Sequence, residues 1–288
     1  MTVPFLNGSG CLDALTAPEV AQQLDAFVTK TITPLPREGN PPPRIAETES
    51  GMLNSIGLQG PGIDAFLAEV LPRLSALEVP LWVSVGGFSA VDFGEICERL
   101  DGERAVDTIE LNLSCPNVDE APETSAELVA AARVTTTKPL FAKLSPASSN
   151  IADAARAVVA AGADGLTLVN TIRGLALDSQ TLQPTLARTT GGYSGPALKP
   201  VALACVFACA NAVDVPIVGL GGVRNGLDAL ELLAVGASVV SLGTILFAEP
   251  SAPARIRAEL ETEAGRRGFP RASDARDVAR KTGELQRF

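Results

Sequence analysis

The chain has 288 residues, of which 46% are hydrophobic and 19% charged, so it can bury a substantial core as one large domain. Its net charge of −10 argues against nucleic acid or an anionic membrane surface as a partner. No apolar run reaches bilayer-spanning length, and the N-terminus lacks the basic and apolar regions of a signal peptide, so neither a membrane helix nor a secretory leader is expected.

Short apolar runs recur along the chain, and helical patterns follow most of them. Eight runs are predicted as strands: 26–30, 53–58, 81–86, 108–113, 140–145, 165–170, 216–222 and 238–244. Helical patterns cover 125–134, 150–162, 197–213 and 225–236. Several strands are almost continuously apolar, as parallel strands covered on both faces are. The alternation predicts an α/β fold, a (β/α)8 TIM barrel forming a single domain over 1–288, with a peripheral tail at 265–288.

Two segments are too long to be plain connections between barrel elements. Residues 31–52 are rich in proline, and residues 171–196 follow the predicted sixth strand. Long loops in compact domains are usually functional or disordered, and both segments follow the carboxyl ends of strands, where barrel active sites lie. We therefore predict that both contribute to a site.

Histidine is absent, which removes it as a general base and as a metal ligand. Acid–base chemistry must then use Cys, Lys, Asp, Glu or the single Tyr193. The five cysteines contain no CxxC pair, so a cysteine-only metal or iron–sulfur site is not expected and the predicted metal content is none. Free thiols are typical of the cytoplasm.

Polar side chains stand at or near the ends of many predicted strands, where they would share one rim of the barrel. They are Lys30, Asn54, Asn112, Cys115, Lys143, Asn170 and Thr171. Any one of them could simply be a polar strand terminus. Two lysines drawn into a barrel rim, however, would be costly without a partner, so the set predicts an anionic or acceptor-rich ligand.

Glycines end the last two predicted strands, at Gly221 and Gly222 and at Gly243, which precedes Thr244. Glycines there could merely serve tight turns. The loops after the seventh and eighth strands also form a recurrent phosphate site in barrels, because backbone amides can approach an anion closely. We favour a phosphate-bearing ligand, and no nucleotide-triphosphate loop of the GxxxxGK[ST] type is present.

The sequence ELNLSCPN, residues 110–117, ends a predicted strand on Cys115. The structural interpretation is a core cysteine before a turn. The functional interpretation is a thiol held as base or nucleophile, with Pro116 restricting the backbone around it. Cys97, Cys205 and Cys209 are interpreted as core packing, and the last two share a face of an alanine-rich helix.

A set of motifs in chain order carries a resemblance that covers roughly residues 7–250. They are NGSG (7–10), TKTITPLPREGNPPPR (29–44), GMLNSIGLQGPG (51–62), ELNLSCPNV (110–118), KLSP (143–146), GADGLTLVNT (162–171), TGGYSGPALKPVAL (190–203), VPIVGLGGV (215–223) and GASVVSLGT (236–244). The chain thereby resembles class 1 dihydroorotate dehydrogenases, and SGPALKPVAL resembles their NAD-linked branch, type B, more than the fumarate-linked branch. The resemblance implies an FMN-binding barrel that oxidises (S)-dihydroorotate to orotate in pyrimidine synthesis.

The resemblance also implies roles for particular residues. Cys115 matches the catalytic base, which takes the C5 proton while the C6 hydride goes to FMN. The positions that match substrate contacts are Lys30, Asn54, Ser55, Ile56, Gly57, Leu58, Asn112, Asn117, Asn170 and Thr171. The positions that match flavin contacts are Ser9, Lys30, Thr31, Asn112, Lys143, Val169, Gly195, Gly221, Gly222, Gly243 and Thr244. A lysine beside the flavin would tune the cofactor's electronics.

The resemblance further implies partners: an iron–sulfur, FAD-containing electron-transfer subunit and a homodimeric core. Two departures stand out, since an N-terminal hairpin is largely missing and the segment DEAPETSAEL after Val118 is several residues shorter than the family's loop. Three alternatives to the NAD-linked enzyme stay open: a fumarate-linked form, a related FMN-dependent dihydropyrimidine oxidoreductase, and a non-catalytic flavin-binding barrel.

Overall fold

The computed structural model describes residues 2–113 and 124–282. Eight parallel strands form one sheet: β1 (Phe5–Asn7), β2 (Phe27–Val28), β5 (Leu81–Val85), β6 (Thr108–Asn112), β7 (Leu140–Leu144), β8 (Gly165–Leu168), β11 (Ile217–Leu220) and β12 (Val239–Leu242). Their order is β1-β12-β11-β8-β7-β6-β5-β2, and a parallel bridge between Leu6 and Ala26 joins the two edge strands. The sheet therefore closes on itself, and the predicted (β/α)8 barrel is confirmed.

One predicted barrel strand was wrong. The segment 53–58 does not enter the barrel, and the eighth barrel strand is instead β1, which has only three residues. β1 was missed because three residues are too few to show a pattern of apolar and polar positions. The segment LNSIGL was mistaken for a barrel strand because it contains apolar residues, of which Leu53 is buried at 1% exposure in the second sheet. A short buried segment outside the barrel therefore had the same apolar pattern as a barrel strand.

The two long segments pair with each other in a second, four-stranded antiparallel sheet. It contains β3 (Ile45–Thr48), β4 (Gly51–Asn54), β9 (Ile172–Gly174) and β10 (Gly191–Ser194), in the order β3-β4-β10-β9. Asn54 of β4 is opposite Gly192 of β10, and Ile172 of β9 is opposite Tyr193. Because the segments leave the carboxyl ends of β2 and β8, this sheet belongs to that end of the barrel, called the barrel mouth below.

Helices connect the barrel strands. The helices are α1 (Pro18–Ala21), α2 (Gly62–Ala65), α3 (Leu71–Ser75), α4 (Ala90–Asp101), α5 (Ser125–Arg133), α6 (Ile151–Ala160), α7 (Lys199–Ala210), α8 (Gly226–Ala234), α9 (Ile245–Ala248), α10 (Ala252–Arg266) and α11 (Val278–Thr282). A π-helical turn, Phe66–Val70, joins α2 to α3, and 3₁₀ turns lie at Pro196–Leu198 and Ala272–Ala275. Side chains that accept the amide of the third helical residue begin four of the longer helices, and they are Ser89, Thr124, Asn150 and Asn225.

The segment after α10 packs back on the barrel's outer helices. Ala272 and Ala275 are buried, and the Asp277 amide donates to the Leu233 carbonyl of α8. The single domain with a peripheral tail remains a prediction.

Within the two described ranges, none of the helices combines the length and apolar character that crossing a membrane requires.

The barrel interior changes from apolar to polar along the strands. Near its base an apolar cluster includes Val28 and Val218, with the rings of Trp82 and Phe141 4.6 Å apart. Side chains two residues further along a strand point to the same face. The buried polar side chains Ser84 and Lys143 follow Trp82 and Phe141 by two residues, so a polar layer lies between the apolar base and the mouth.

The seam between β1 and β2 depends on the side chain of Asn7, which is 1% exposed. Its Nδ2 donates to the Val28 carbonyl at 2.8 Å, and its Oδ1 accepts from the Val28 amide at 2.7 Å. The Asn7 carboxamide thus takes the place of the backbone hydrogen bonds that would normally join β1 to β2. Because Ser9 lies only two residues after Asn7, the same contact fixes the start of the loop that reaches the mouth.

Replacing Asn7 with alanine should lower the free energy of unfolding by about 2–6 kcal/mol, since two buried backbone groups lose their partners at about 1–3 kcal/mol each. Urea unfolding followed by circular dichroism measures this. The exposed Asn211, whose side chain donates to the Phe207 carbonyl, provides the control, and Asn211→Ala should change stability by less than about 1 kcal/mol. Equal effects of the two substitutions would contradict the role of Asn7 at the seam.

Candidate active site

Four polar side chains from neighbouring strands form one hydrogen-bonded chain across the mouth. Thr31 Oγ1 lies 3.1 Å from Ser84 Oγ and accepts from Asn112 Nδ2 at 3.1 Å. Asn112 Oδ1 in turn accepts from Asn170 Nδ2 at 3.1 Å, and the Thr171 amide donates to Asn170 Oδ1 at 2.8 Å. The network orients both carboxamides, so three residues predicted from separate motifs are held in one fixed arrangement.

Lys143 is buried in the polar layer, with 4% of its surface exposed. Its Nζ donates to Ser9 Oγ at 2.8 Å and lies 3.5 Å from Glu110 Oε1 on the adjacent strand β6. The register places Asn112 opposite Lys143, so the lysine lies beside the amide network on the neighbouring strand. A buried ammonium of this kind needs a carboxylate partner, and Glu110, 2% exposed, provides one.

Lys30 follows β2 and lies beside Gly10, where a Cβ would be 3.9 Å from Lys30 Nζ. Burial lowers the pKa of the Lys30 ammonium below its ordinary value of 10.5; the Arg44 charge lowers it further, whereas Cys11 opposes both. Burial raises the pKa of the Cys11 thiol, while Lys143 and Lys30 act to lower it and Glu110 to raise it. Cys11, Lys30, Lys143 and Glu110 therefore share one electrostatic environment.

Lys30→Met should raise the melting temperature of the ligand-free protein at pH 7 only slightly, because Lys30 keeps an exposed surface and water screens much of the penalty on its charge. The pKa of Lys30 is lower in the folded protein than in the unfolded chain, so the charged ammonium destabilises the fold. This destabilisation is complete at pH values below the folded-state pKa and disappears above the unfolded-state pKa of 10.5. The advantage of methionine should therefore shrink as pH rises between these limits, which melting curves from pH 7 to 10.5 would show. Lys281→Met, also exposed but on α11 outside the mouth, is the control, and an equal gain there would contradict the assignment.

The predicted substrate segment, 54–58, begins at the last residue of β4 and is tied to the proline-rich segment. Asn54 Nδ2 donates to the Gly192 carbonyl at 3.2 Å, and Asn40 Nδ2 donates to Ser55 Oγ at 2.9 Å. The Asn40 amide also donates to the Ile56 carbonyl at 2.9 Å, while Gly57 and Leu58 have positive φ angles of 78° and 56°. These contacts give the loop a defined course above the barrel.

Two further contacts connect the second sheet to the mouth. The Thr171 side chain packs on Gly192, where a Cβ would come within 2.1 Å of Thr171 Oγ1. Thr244 Oγ1 donates to Ser194 Oγ at 2.8 Å, directly before Gly195, whose φ of 104° favours glycine. The sheet is therefore held over the carboxyl ends of β8 and β12.

The glycines after β11 lie against the start of α7. Gly221 and Gly222 have φ angles of 139° and 74°. A Cβ on Gly222 would lie 2.8 Å from the Lys199 amide nitrogen, and one on Gly221 would lie 2.7 Å from Ala202 Cβ. Lys199 itself is held by Asp228 Oδ1 at 2.6 Å, so this turn has a rigid support.

Comparison with known proteins identifies the family. A family model described as dihydroorotate dehydrogenase matches residues 1–263. The chain belongs to the dihydroorotate dehydrogenase family. It is 44% identical over 273 residues to the dihydroorotate dehydrogenase B (NAD(+)) catalytic subunit of Citrifermentans bemidjiense, covering 91% of this chain and 89% of that one. The protein of the same name from Geotalea uraniireducens is 46% identical over 84% of this chain and 81% of its own length.

A third relative of the same name, from Geobacillus sp., is 40% identical over 98% of this chain and 93% of its own length. The crystal structure of DHODH from Eimeria tenella in complex with ferulenol shares the fold at a TM-score of 0.81, with 24% identity over 96% of this chain and 85% of that one. The resemblance to the NAD-linked catalytic subunits of this family, predicted from the sequence motifs, is confirmed.

Membership of the dihydroorotate dehydrogenase family implies a flavin cofactor, and the residues at the mouth fit such a group. Phosphate sites in barrels use the loops after the seventh and eighth strands and a short extra helix, and α9 begins directly after Thr244. Gly8 and Gly243 both face Cys11 and Leu220, where a Cβ on either would make contact at 3.4–3.7 Å. Val169 is buried at the end of β8, beside the Leu220 carbonyl that accepts its amide at 2.7 Å.

Two predicted residues, Cys115 and Asn117, lie outside the described residues. The structure also brings together side chains that the sequence interpretation passed over: Cys11, Ser84, Glu110 and Ser194. Glu110 could have been found, because it precedes Asn112 by two residues in a strand and must share its face. Cys11 had no such signal, since it follows β1 in a loop.

Proposed function

We propose that this protein oxidises (S)-dihydroorotate to orotate in pyrimidine biosynthesis. Its membership of the dihydroorotate dehydrogenase family supports this reaction. The observation that carries the proposal is the Thr31–Asn112–Asn170 network beside buried Lys143, because it presents fixed amides and a cation to one space. Orotate is an anionic, planar ring with amide donors and acceptors, which asparagine and lysine side chains match.

The proposed cofactor is FMN, with Gly221, Gly222, Gly243 and Thr244 around the phosphate and Ser9, Lys143, Val169 and Gly195 along the rest of the molecule. The support is the pair of positive-φ glycines after β11 and the buried ammonium in the polar layer. When bound, FMN would supply the acceptor for the hydride that leaves C6 of the substrate.

The proposed base is Cys115, which takes the proton from C5 as the C6–H bond breaks. A thiol suits this step because the chain has no histidine. Asn54, Asn112, Asn117, Asn170 and Thr171 would hold the substrate ring, and Lys30 would pair with its carboxylate. The loop 55–58 would complete the wall over the ring and exclude water.

A separate subunit with iron–sulfur and FAD groups is the proposed electron acceptor, on a homodimeric catalytic core. The relatives' designation as catalytic subunits supports a partner. The four described cysteines are free, and within the described ranges no cluster of three or more acidic or cysteine side chains could hold a metal. Electrons passed to NAD would therefore need such a partner. The cytoplasm is the proposed location.

Anaerobic mixing of the purified flavoprotein with dihydroorotate tests the proposal. We expect rapid loss of flavin absorbance with dihydroorotate and at least about tenfold slower loss with dihydrouracil, which lacks the carboxylate that Lys30 would bind. Equal or faster reduction by dihydrouracil would favour a dihydropyrimidine oxidoreductase. Reoxidation by fumarate would indicate a fumarate-linked enzyme, and a bound flavin reduced by neither substrate would indicate a non-catalytic barrel.

A further inference from the structure

Glu110 lies beneath the mouth, on the same face of β6 as Asn112. The carboxylate is 2% exposed and the Lys143 ammonium 4% exposed, so both formal charges are removed from water. Their closest atoms, Glu110 Oε1 and Lys143 Nζ, are 3.5 Å apart. Charges this deep interact far more strongly than at the surface, because the interior screens them poorly.

The contact is one of charge rather than of hydrogen bonding. Within the described ranges Glu110 Oε1 makes no hydrogen bond, whereas Lys143 Nζ donates to Ser9 Oγ at 2.8 Å, on the loop after β1. The ammonium is therefore directed toward Ser9 and the mouth, while the carboxylate stays behind it. Burying an acceptor without a donor is costly, so a purely structural polar layer would not favour this arrangement.

We propose that Glu110 is a positioning residue that aims the Lys143 ammonium at the bound flavin and moderates its positive field there. The inference rests on the proposed function for the identity of the cofactor. Reduction adds negative charge to the flavin, and an uncompensated ammonium would favour the reduced form too strongly. By offsetting part of that charge, Glu110 keeps the cofactor able to pass its electrons on.

Cys11 offers an independent probe of this field. The half-buried thiol senses both partners, since Lys143 lowers its pKa and Glu110 raises it. Removing the Glu110 charge should therefore lower the pKa of Cys11 even in the protein without cofactor. Selective ¹³Cβ labelling of cysteine allows the thiol to be titrated by NMR, and Cys11→Ser assigns its signal.

The experiment compares wild type, Glu110→Gln, Glu110→Asp and Thr167→Val. The last is a matched control, because Thr167 Oγ1 is also buried without a hydrogen bond in the described part of the chain but carries no charge. In the flavin-loaded protein, Glu110→Gln should make the midpoint potential more positive by at least about 30 mV, equivalent to tenfold in the equilibrium constant of a two-electron couple. Glu110→Asp keeps the negative charge, so it should shift the midpoint potential in the same direction but by less. The aspartate variant also provides the test if Glu110→Gln does not fold.

The inference fails if the potentials of Glu110→Gln and Thr167→Val coincide, or if the Cys11 titration is unchanged by Glu110→Gln in the cofactor-free protein. Failure of the proposed function looks different. A wild-type protein whose bound flavin dihydroorotate cannot reduce would still show the shift in potential. A wild-type protein that binds no FMN would remove the cofactor role of Glu110, whereas the Cys11 titration would still report its charge on Lys143.

Discussion

Replacing Cys115 with alanine is expected to slow flavin reduction by dihydroorotate by about 10²–10⁴-fold while leaving bound FMN in place. A positioned general base contributes a factor of this size, and the proposed reaction has no histidine to substitute for it. Anaerobic stopped-flow absorbance at saturating substrate measures the step directly, since it does not depend on the electron-accepting partner. Orotate binding, followed by the flavin spectrum, should change far less than the rate.

Two other thiols provide the controls for Cys115. Cys205 is buried in α7, and burial raises the pKa of its thiol, so Cys205→Ala should leave the rate of flavin reduction unchanged. Cys11 is the competing candidate base, because it shares the mouth with Lys30 and Lys143. Burial raises its pKa, which disfavours the thiolate, so Cys11→Ala should reduce the rate by less than about tenfold. A larger loss in Cys11→Ala than in Cys115→Ala would overturn the assignment of the base.

The sequence was sufficient for most of the barrel because its strands are covered on both faces. Runs such as LFAKLS and SVVSLGT are apolar for that reason, and they become β7 and β12. It was not sufficient for β1, which has three residues and relies on the Asn7 side chain for its partner. Nor could it show that segments 31–52 and 171–196 pair, since register between distant strands depends on the barrel that brings them together.

The candidate site was predicted to a similar degree. The strand-end rule grouped Asn112, Lys143 and Asn170 correctly, because the carboxyl ends of parallel strands meet at one face. It passed over Glu110 and Ser84, which lie one layer deeper and contact Lys143 and Thr31. A prediction that considers only the last residues of each strand misses a polar side chain two residues earlier, although it lies on the same face of the strand. Extending it by one alternation of the strand would have found both side chains.

Lys143→Met is expected to lower the free energy of unfolding of the cofactor-free protein by about 3–5 kcal/mol and to abolish stable FMN binding. Removing one member of a buried pair leaves the other charge without compensation, and Glu110 is 2% exposed. Urea unfolding measures the first effect and flavin fluorescence titration the second. Lys138→Met is the control: the Lys138 ammonium also binds within the fold, to the Glu103 and Val106 carbonyls, but it faces no buried carboxylate among the described residues.

The double variant Glu110→Gln with Lys143→Met separates the two effects. With both charges gone, no carboxylate is left uncompensated, so most of the lost stability should return and the two substitutions should be strongly non-additive. FMN affinity should stay low, because the ammonium that would meet the flavin is still missing. If the double variant is as unstable as Lys143→Met, the cost lies in packing around the lysine stem rather than in charge. In that case the charge of Glu110 would not be what stabilises the buried Lys143.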